Sequence, residues 1–352
     1  MQTDALTRLE TRRLILRPFT AEDHPMILRI ASDPDTVRYM YFWGRDGVTP
    51  ETDARRFLDY AIQCWAEKPL RAREYCLVRK SDGAAMGNGS LEWTADEPDT
   101  AELGWFLLPE YRGCGYVTEM AEALLRAGFE ALGARTVIAR CDKRNAPSYR
   151  VMERLGMRLV YIEPGGRPAK ASGETPGDEC TYAIPRQEWQ IRQAWKTYRT
   201  YTCHFDDFLP PPPMTDGEIS LTLDRLSPAD PAKGYVPAYH FFITRQGERI
   251  GRINLRIGYP DSLLYGGQIG YSVDEAWRGR GYAGTACRLL RPLMRAHGMP
   301  AAIITHHIAN AASRRVCEKL GARFLCRIAV PESHEMYAQG IREVNVFAMD
   351  AQ

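Results

Sequence analysis

The strongest constraint on the fold is a glycine-containing hexapeptide that occurs twice in the chain. It reads RGCGYV at residues 112–117 and RGRGYA at residues 278–283, which begins 166 positions later. One pair of glycines would mark only a turn, but the match continues upstream. ELGWFLLPEYRGCGYV (102–117) aligns without a gap to QIGYSVDEAWRGRGYA (268–283). The sequence therefore predicts two copies of one structural unit.

The segments after the two hexapeptides also correspond. Each opens with apolar residues at helical spacing, namely Met120, Leu124, Leu125, Phe129 and Leu132 in the first copy and Ala286, Leu289, Leu290, Leu293 and Met294 in the second. A β-rich run follows in both copies. An asparagine then stands 33 or 32 residues after the arginine and leads a second helical pattern, which ends at Gly156 or Gly321. Each copy predicts the order strand, loop, helix, strand, helix, strand.

These patterns predict an α/β fold with a mixed sheet, and the length of 352 residues favours two domains. We place the first domain at residues 1–190 and the second at residues 214–352. Residues 191–213 are predicted to be a linker with a possible helix of either half and the start of a proline-rich segment, FLPPPPMTDGE.

Two departures from strict repetition are visible. The first half has two helical patterns between its first two strands, whereas the second half has only LSPADPAKGYVP there. Pro292 lies inside the second copy's helical pattern, where it removes a backbone hydrogen bond. We expect that helix to continue with a bend.

Composition narrows the function classes. The 46 basic and 44 acidic residues leave a net charge of +2, which offers no general attraction for nucleic acid. No apolar run approaches the roughly 20 residues of a membrane span, and the charged start lacks a signal peptide's apolar segment. Nine cysteines without a C-x-x-C pair indicate reduced thiols, and the histidine and cysteine spacings predict no metal site. We expect a cytoplasmic monomer or homodimer.

An R-G-x-G-Y loop at a strand end that opens a helix can bind an anion. The first N–H groups of a helix have no intrahelical acceptor, and the helix dipole is positive there. Glycines let the backbone approach a phosphate closely. The alternative is a helix entry in which the glycines serve only the turn. A Walker loop is excluded because neither copy has G-K-[ST]. The second copy has a third glycine, Gly284, as a dinucleotide-binding loop does, but the strands before it do not open a βαβ unit.

The loop, the strand before it and the N-x-x-S helix after it resemble the GNAT superfamily of N-acetyltransferases. The resemblance covers nearly the whole chain, once per half. The first half is similar to the RimJ/RimL-like branch, through TRRLILRPFTAED, PEYRGCGYVTEM and NAPSYRVMERLGM. The resemblance implies two acyltransferase domains in tandem that use acetyl-CoA to acetylate a primary amine.

The resemblance also implies where acetyl-CoA is held. Its pantetheine would pair with the strand before the loop, its pyrophosphate would lie on the loop amides, and the helix-leading asparagine would be nearby. In the first half these residues are Trp105, Phe106, Leu107, Arg112, Gly113, Cys114, Gly115, Tyr116, Val117 and Asn145. In the second half they are Tyr271, Ser272, Val273, Arg278, Gly279, Arg280, Gly281, Tyr282, Ala283 and Asn310. Val117 departs mildly from the small residue that usually ends the motif.

Direct acetyl transfer needs a base for the incoming ammonium and benefits from an acid for the leaving sulfur. For the first half we favour Glu102 as the base, directly or through water, with a solvated strand-edge carboxylate as the alternative. Ser148 is the candidate acid, and its alternative is a local backbone hydrogen bond. Many relatives have a tyrosine where this chain has Met152.

The second half has a different catalytic set. Gln268 replaces Glu102 and cannot act as a base, while Ser313 parallels Ser148 and Cys317 takes the tyrosine place. His240 is a candidate base there, and a histidine satisfied within the strand is the alternative.

The aromatic cluster between the first half's early helical patterns would line the acceptor groove, or would only anchor a loop. It consists of Tyr39, Tyr41, Phe42 and Trp43. The acceptor is a small-molecule amine or a protein N-terminus. A non-catalytic acetyl-CoA-binding module in one or both halves stays open. A Fem-type ligase fits less well, because such proteins usually lack the intact loops that this chain has twice.

Overall fold

The computed structural model describes residues 6–40, 43–66, 72–93, 97–170 and 175–352. Its contacts divide the chain into two units, Met1–Arg186 and Gln187–Gln352. The predicted linker, residues 191–213, is thus counted with the second unit. There Ala194 and Tyr198 are buried in one of that unit's apolar clusters.

The first unit is built on one mixed sheet. Its strands are β1 (Leu9–Glu10), β2 (Leu14–Pro18), β3 (Ala72–Arg79), β4 (Ala85–Trp93), β5 (Thr100–Leu107), β6 (Thr136–Asp142), β7 (Arg158–Arg167) and β8 (Gly177–Pro185). They lie in the order β1-β2-β3-β4-β5-β6-β8-β7. All neighbours are antiparallel except β5 and β6. The predicted mixed sheet is therefore confirmed.

Helices cover the two faces of this sheet. They are α1 (His24–Ala31), α2 (Pro34–Val37), α3 (Pro50–Gln63), α4 (Tyr116–Arg126) and α5 (Ala146–Leu155). On one face, α1 and α3 bury an apolar cluster that includes Ile27, Leu58 and Phe106. On the other, α4 lies so close to β4 that a Cβ at Gly89 would meet the Met120 sulfur at 2.5 Å. A side chain at Gly89 would push α4 away from the sheet.

The parallel pairing between β5 and β6 is short, and it leaves a gap between the two strands. Pairing joins only residues 100–102 to residues 136–138, although β5 runs on to Leu107 and β6 to Asp142. Beyond that point the two strands have no mutual ladder, so a wedge opens between them. The wedge ends at the loop that leads into α4.

The second unit repeats this plan with two smaller sheets. Its strands are β9 (Ser220–Ser227), β10 (Ala238–Arg245), β11 (Glu248–Arg256), β12 (Ile269–Val273), β13 (Ala301–His307), β14 (Arg323–Ala329) and β15 (Glu343–Asp350). Their orders are β12-β11-β10-β9 and β13-β15-β14. The remaining helices are α6 (Arg186–Tyr198), α7 (Ser262–Gly266), α8 (Tyr282–Leu289), α9 (Arg291–Ala296), α10 (Ala311–Lys319) and α11 (Glu335–Ala338).

The two predicted departures from the repeat have different outcomes. Between β9 and β10 there is only a single 3-10 turn, Pro231–Lys233, so the missing helical pair is confirmed. The prediction of one bent helix around Pro292 is wrong, because α8 ends at Leu289 and α9 begins at Arg291. Pro292 lies in the first turn of α9, where its missing N–H needs no helical acceptor.

Candidate functional site

The wedge of the first unit opens into a cleft of about 1270 Å³. Its wall includes the loop residues from Arg112 to Val117, apart from Cys114, and the facing segment from β6 into α5. The predicted residues that line the cleft are Tyr39, Trp105, Phe106, Leu107, Arg112, Gly113, Gly115, Tyr116, Val117, Asn145 and Ser148. The sequence-predicted loop, strand and helix residues therefore come together around one space.

The loop presents its backbone N–H groups to this space. Gly113 and Gly115 have φ of 74° and 77°, the left-handed region that favours glycine. Gly115 is the N-cap of α4. Within the described part of the chain, the N–H groups of residues 113–118 have no protein acceptor, and the first loop N–H with one is that of Glu119, which donates to the Gly115 carbonyl. Six such donors at a helix N-terminus suit an anionic group.

Two arginines fix the shape of this loop. Arg112 donates from Nε to the Leu107 carbonyl at 3.2 Å and forms an ion pair with Asp33 at 2.8 Å. Arg13 pairs with Glu119 at 2.6 Å and donates to the Cys114 carbonyl at 3.0 Å. The loop is held in place by the protein, so its N–H groups are already arranged for a ligand.

The second loop has the same backbone form. Gly279 and Gly281 have φ of 79° and 88°, and Gly281 is the N-cap of α8. Arg278 donates from Nε to the Val273 carbonyl at 3.0 Å, which repeats the bond made by the first loop. Among the described residues, the N–H groups of residues 279–284 likewise have no protein acceptor. The remaining loop residues are Arg280, Tyr282 and Ala283, and Tyr282 donates its hydroxyl to Glu218 at 2.8 Å.

The strands before the loops match as well. Trp105 pairs with Gly89 of β4, and Tyr271 pairs with Ile253 of β11. Ser272 and Val273 complete the second strand. In the first unit the opposite edge of this strand faces the wedge.

Glu102 lies on β5 at the last position that pairs with β6, and it is not among the residues that line the cleft. Its half-buried carboxylate pairs with Arg140 at 2.9 Å, and Arg140 lines the cleft. Burial raises the pKa of the Glu102 carboxyl, and the charge of Arg140 partly opposes this. A carboxyl in such surroundings is a better proton acceptor than a solvated one.

The two helix-leading asparagines act as N-caps. Asn145 accepts from the Ser148 N–H at 3.3 Å, and Asn310 accepts from the Ser313 N–H at 3.0 Å. Among described residues, no hydrogen bond is made by the Ser148 hydroxyl to a protein group. The Ser313 hydroxyl, in contrast, is buried and bonds to the Tyr271 hydroxyl at 2.8 Å.

We expect Asn310→Ala to lower the free energy of unfolding of the second unit by about 1 kcal/mol, the usual contribution of an N-cap. Arg315→Ala, at an exposed position of the same helix, is the matched control. Urea unfolding followed by circular dichroism measures both. Equal unfolding curves for the two variants would contradict the capping role.

The other second-unit candidates have structural partners. Gln268 is fully buried, accepts from the Ile303 N–H at 2.7 Å and donates to the Gly258 carbonyl at 3.0 Å. It thereby ties β12 to β13. Cys317 is fully buried, and burial raises its pKa to about 12, so it stays a thiol. His240 bonds to the Ser227 hydroxyl at 3.0 Å, and burial lowers its pKa.

The members of the predicted aromatic cluster do not share one environment. Tyr39 lines the cleft, whereas Trp43 is buried and packs against Phe57 and Phe106. Tyr41 and Phe42 lie outside the described residues.

Sequence reasoning missed three charged residues on the strands around Glu102. Arg140 comes from β6, Glu74 from β3 and Glu92 from β4. The available signal was a carboxylate within each of two largely apolar strands, since glutamate is seldom buried without a partner.

Within the described ranges, none of the helices has the length and apolar character needed to cross a membrane.

Comparison with known proteins gives a consistent result. A family model described as an acetyltransferase (GNAT) domain matches residues 13–158 and 186–323. The uncharacterized N-acetyltransferase YnaD of Bacillus subtilis is 30% identical over 181 residues, which cover 51% of this chain and 98% of that protein. The FsC-acetyl coenzyme A-N(2)-transacetylase of Aspergillus fumigatus is 28% identical over 196 residues, which cover 54% of this chain and 80% of that protein.

Among solved structures, an acetyltransferase of the GNAT family from Bacillus anthracis is 28% identical, with a TM-score of 0.43. The match covers 51% of this chain and 99% of that one.

Proposed function

Because the chain belongs to the acetyltransferase (GNAT) family in both of its halves, we propose that the first unit transfers acetyl from acetyl-CoA to a primary amine and that the second unit binds acetyl-CoA without catalysing transfer. The predicted acyltransferase class is confirmed by the family match and the named N-acetyltransferase relatives. The observation that carries the division of roles is Glu102 beside the first wedge, with the amide of Gln268 in its place in the second.

The loop residues fit the pyrophosphate of acetyl-CoA. Among the residues that the structure describes, the N–H groups of residues 113–118 have no acceptor and a Cβ at Gly113 would meet no atom within 4 Å. Trp105, Phe106 and Leu107 present an open strand edge, which an extended amide-containing chain can extend by backbone pairing. When bound, acetyl-CoA supplies the thioester carbonyl that the amine attacks.

The first unit's side chains handle the protons. The Glu102 carboxylate takes the proton of the incoming ammonium, directly or through one water, which frees the nitrogen lone pair. The Ser148 hydroxyl lies in the cleft wall and holds a proton for the departing sulfur. Glu102 and Ser148 are therefore the proposed base and acid of the first unit.

We call the loop segments whose N–H groups have no acceptor among the described residues, residues 113–118 and residues 279–284, the cradles of the two units. The second unit keeps its cradle but lacks a base and an acid that correspond to Glu102 and Ser148. Gln268 carries no titratable proton, and the Ser313 hydroxyl is already bonded to Tyr271. Its loop residues 279–284 still offer N–H groups that no described residue accepts from. These features favour a binding role over a second catalytic centre.

The acceptor is proposed to be a small-molecule amine or a protein N-terminus. One relative bears the name of an N(2)-transacetylase, which is consistent with transfer to nitrogen. Tyr39 and Arg38 also lie on the cleft wall, where an acceptor could enter.

Titration calorimetry of the full chain with acetyl-CoA, followed by thiol release with a panel of primary amines, tests the proposal. The expected result is two bound acetyl-CoA molecules per chain and turnover that depends on the first unit alone. Folded protein that binds no acetyl-CoA would overturn the proposal. Amine turnover that persists when Glu102 and Ser148 are both replaced would overturn the assignment of catalysis to the first unit.

A further inference from the structure

Three carboxylates lie on one face of three adjacent strands in the first unit. Glu92 of β4 is the direct cross-strand partner of Glu102 on β5. Glu74 lies on the next strand, β3, and forms a side-chain hydrogen bond with Glu92. The row leads from the interior of the unit to the proposed base.

The inner pair holds a proton. Glu74 is only 3% exposed, and two hydrogen-bonded carboxyl groups in such a place cannot both be ionised. Burial, and then the neighbouring Glu92, raise the pKa of Glu74 well above its usual value. Asn88 donates to the Glu74 carboxyl as well, which opposes only part of this rise in pKa. Glu74 is therefore the protonated partner, and its O–H donates to Glu92.

Glu92 is the hydrogen-bond acceptor of the inner pair. It accepts from Glu74 and, at 3.1 Å, from the Tyr60 hydroxyl of α3. Its carboxylate lies directly across from Glu102 on the neighbouring strand, and its charge acts on Glu102.

The charges that face Glu102 come from four strands. Glu92 on β4 and Glu179 on β8 disfavour its ionised form, whereas Arg140 on β6 and Arg167 on β7 favour it. Arg140 and Arg167 also pair with Glu179, at 3.8 Å and 2.7 Å. Glu179 shares both arginines, whereas Glu92 has no ion-pair partner among the described residues.

The second unit has none of this row. The strand registers place His240, Arg256 and Gln268 where the first unit has Glu74, Glu92 and Glu102. In the first unit Glu74 pairs with Ser90, which in turn pairs with Gly104. In the second unit His240 pairs with Asn254, which in turn pairs with Gly270. The carboxylates therefore accompany the proposed base and are absent where the base is absent.

We propose that Glu92, whose carboxylate accepts hydrogen bonds from Glu74 and Tyr60, is a positioning residue that makes Glu102 a stronger base toward the acceptor ammonium. The inference rests on the proposed function, because it needs Glu102 to accept that proton. Glu92 acts through its charge and touches no substrate.

Glu92→Gln tests this inference because it removes the charge and keeps an acceptor for both hydroxyl groups. Without the negative neighbour, Glu102 ionises at lower pH, so the acid limb of the kcat/KM profile moves to lower pH. The charge interaction is worth a factor of about two to five, so activity on that limb, relative to the plateau, should rise about two- to fivefold. Glu130→Gln, at an exposed position after α4, is the charge-matched control.

A second readout does not depend on turnover. Carbon-13 NMR follows the Glu102 carboxyl, assigned by its loss in Glu102→Gln, and its titration midpoint should fall in Glu92→Gln and stay fixed in Glu130→Gln. Glu74→Gln keeps an N–H donor to Glu92 and should move the midpoint less than Glu92→Gln does.

The outcomes separate the inference from the proposed function. An unmoved Glu102 titration in folded Glu92→Gln would overturn the inference while the proposed base still stands. Full activity in Glu102→Gln would remove the proposed base, and the inference with it.

Discussion

Replacing Gly115 with aspartate is expected to weaken acetyl-CoA binding by the first unit by on the order of 100-fold or more and to abolish turnover. Gly115 has φ of 77°, a conformation that costs other residues roughly 1–2 kcal/mol. A carboxylate there would also lie beside the phosphates, and like charges in contact cost several kcal/mol. A Cβ at Gly115 would lie 3.5 Å from Arg13 Nη2, so this guanidinium offsets part of the added charge, but it is already paired with Glu119.

Gly133→Asp is the matched control for this experiment. Gly133 has φ of 82°, and a Cβ there would meet nothing within 4 Å, so the variant carries backbone strain without a charge in the cradle. Calorimetry on both variants should show one of the two binding events lost in Gly115→Asp and neither lost in Gly133→Asp. Two unchanged events in Gly115→Asp would exclude the first loop as a phosphate cradle.

Replacing Glu102 with glutamine is expected to lower kcat by about 10²- to 10⁴-fold, the usual contribution of a general base. The amide has nearly the same size, and the cradle lies further along the wedge, so acetyl-CoA affinity should stay close to that of the parent chain. The higher pKa of Glu102 means that its carboxylate forms only as pH rises. The acid limb that it causes should therefore disappear in the variant.

Stopped-flow thiol release and calorimetry separate these effects. Glu130→Gln serves as the control for loss of one negative charge. A Glu102→Gln variant with unchanged kcat would assign the proton transfer to another group, and loss of acetyl-CoA binding would point to damage of the strand instead.

Much of the fold could be predicted because each helix and strand of the repeat is predicted twice, once from each half of the sequence. The loops, the strands before them and the asparagine-led helices lie where their spacing placed them. Gly156 follows α5 with φ of 86°, as expected of a glycine that ends a helix. The family resemblance and the acyltransferase class followed from the same residues and are confirmed by the family match.

Other features depend on contacts between residues far apart in the sequence. Nothing local indicates that Glu74 and Glu92 share a proton, because their hydrogen bond needs the β3–β4 register. Arg140 pairs with Glu102 across 38 positions. The prediction of one bent helix around Pro292 was wrong because a bent helix and two successive helices differ only in whether Leu290 continues the helix. Packing of the surrounding core decides this, and the local sequence does not show it.

The repeated bond from an arginine Nε to the carbonyl five residues upstream has an evolutionary consequence. Each cradle is made of main-chain atoms, and its shape is set by one arginine and two glycines. After duplication, substitutions at the base position would leave such a cradle intact. A duplicated unit could thus lose acetyl transfer and still bind acetyl-CoA. Such a unit would be a starting point for the evolution of a sensor of the acetyl-CoA level.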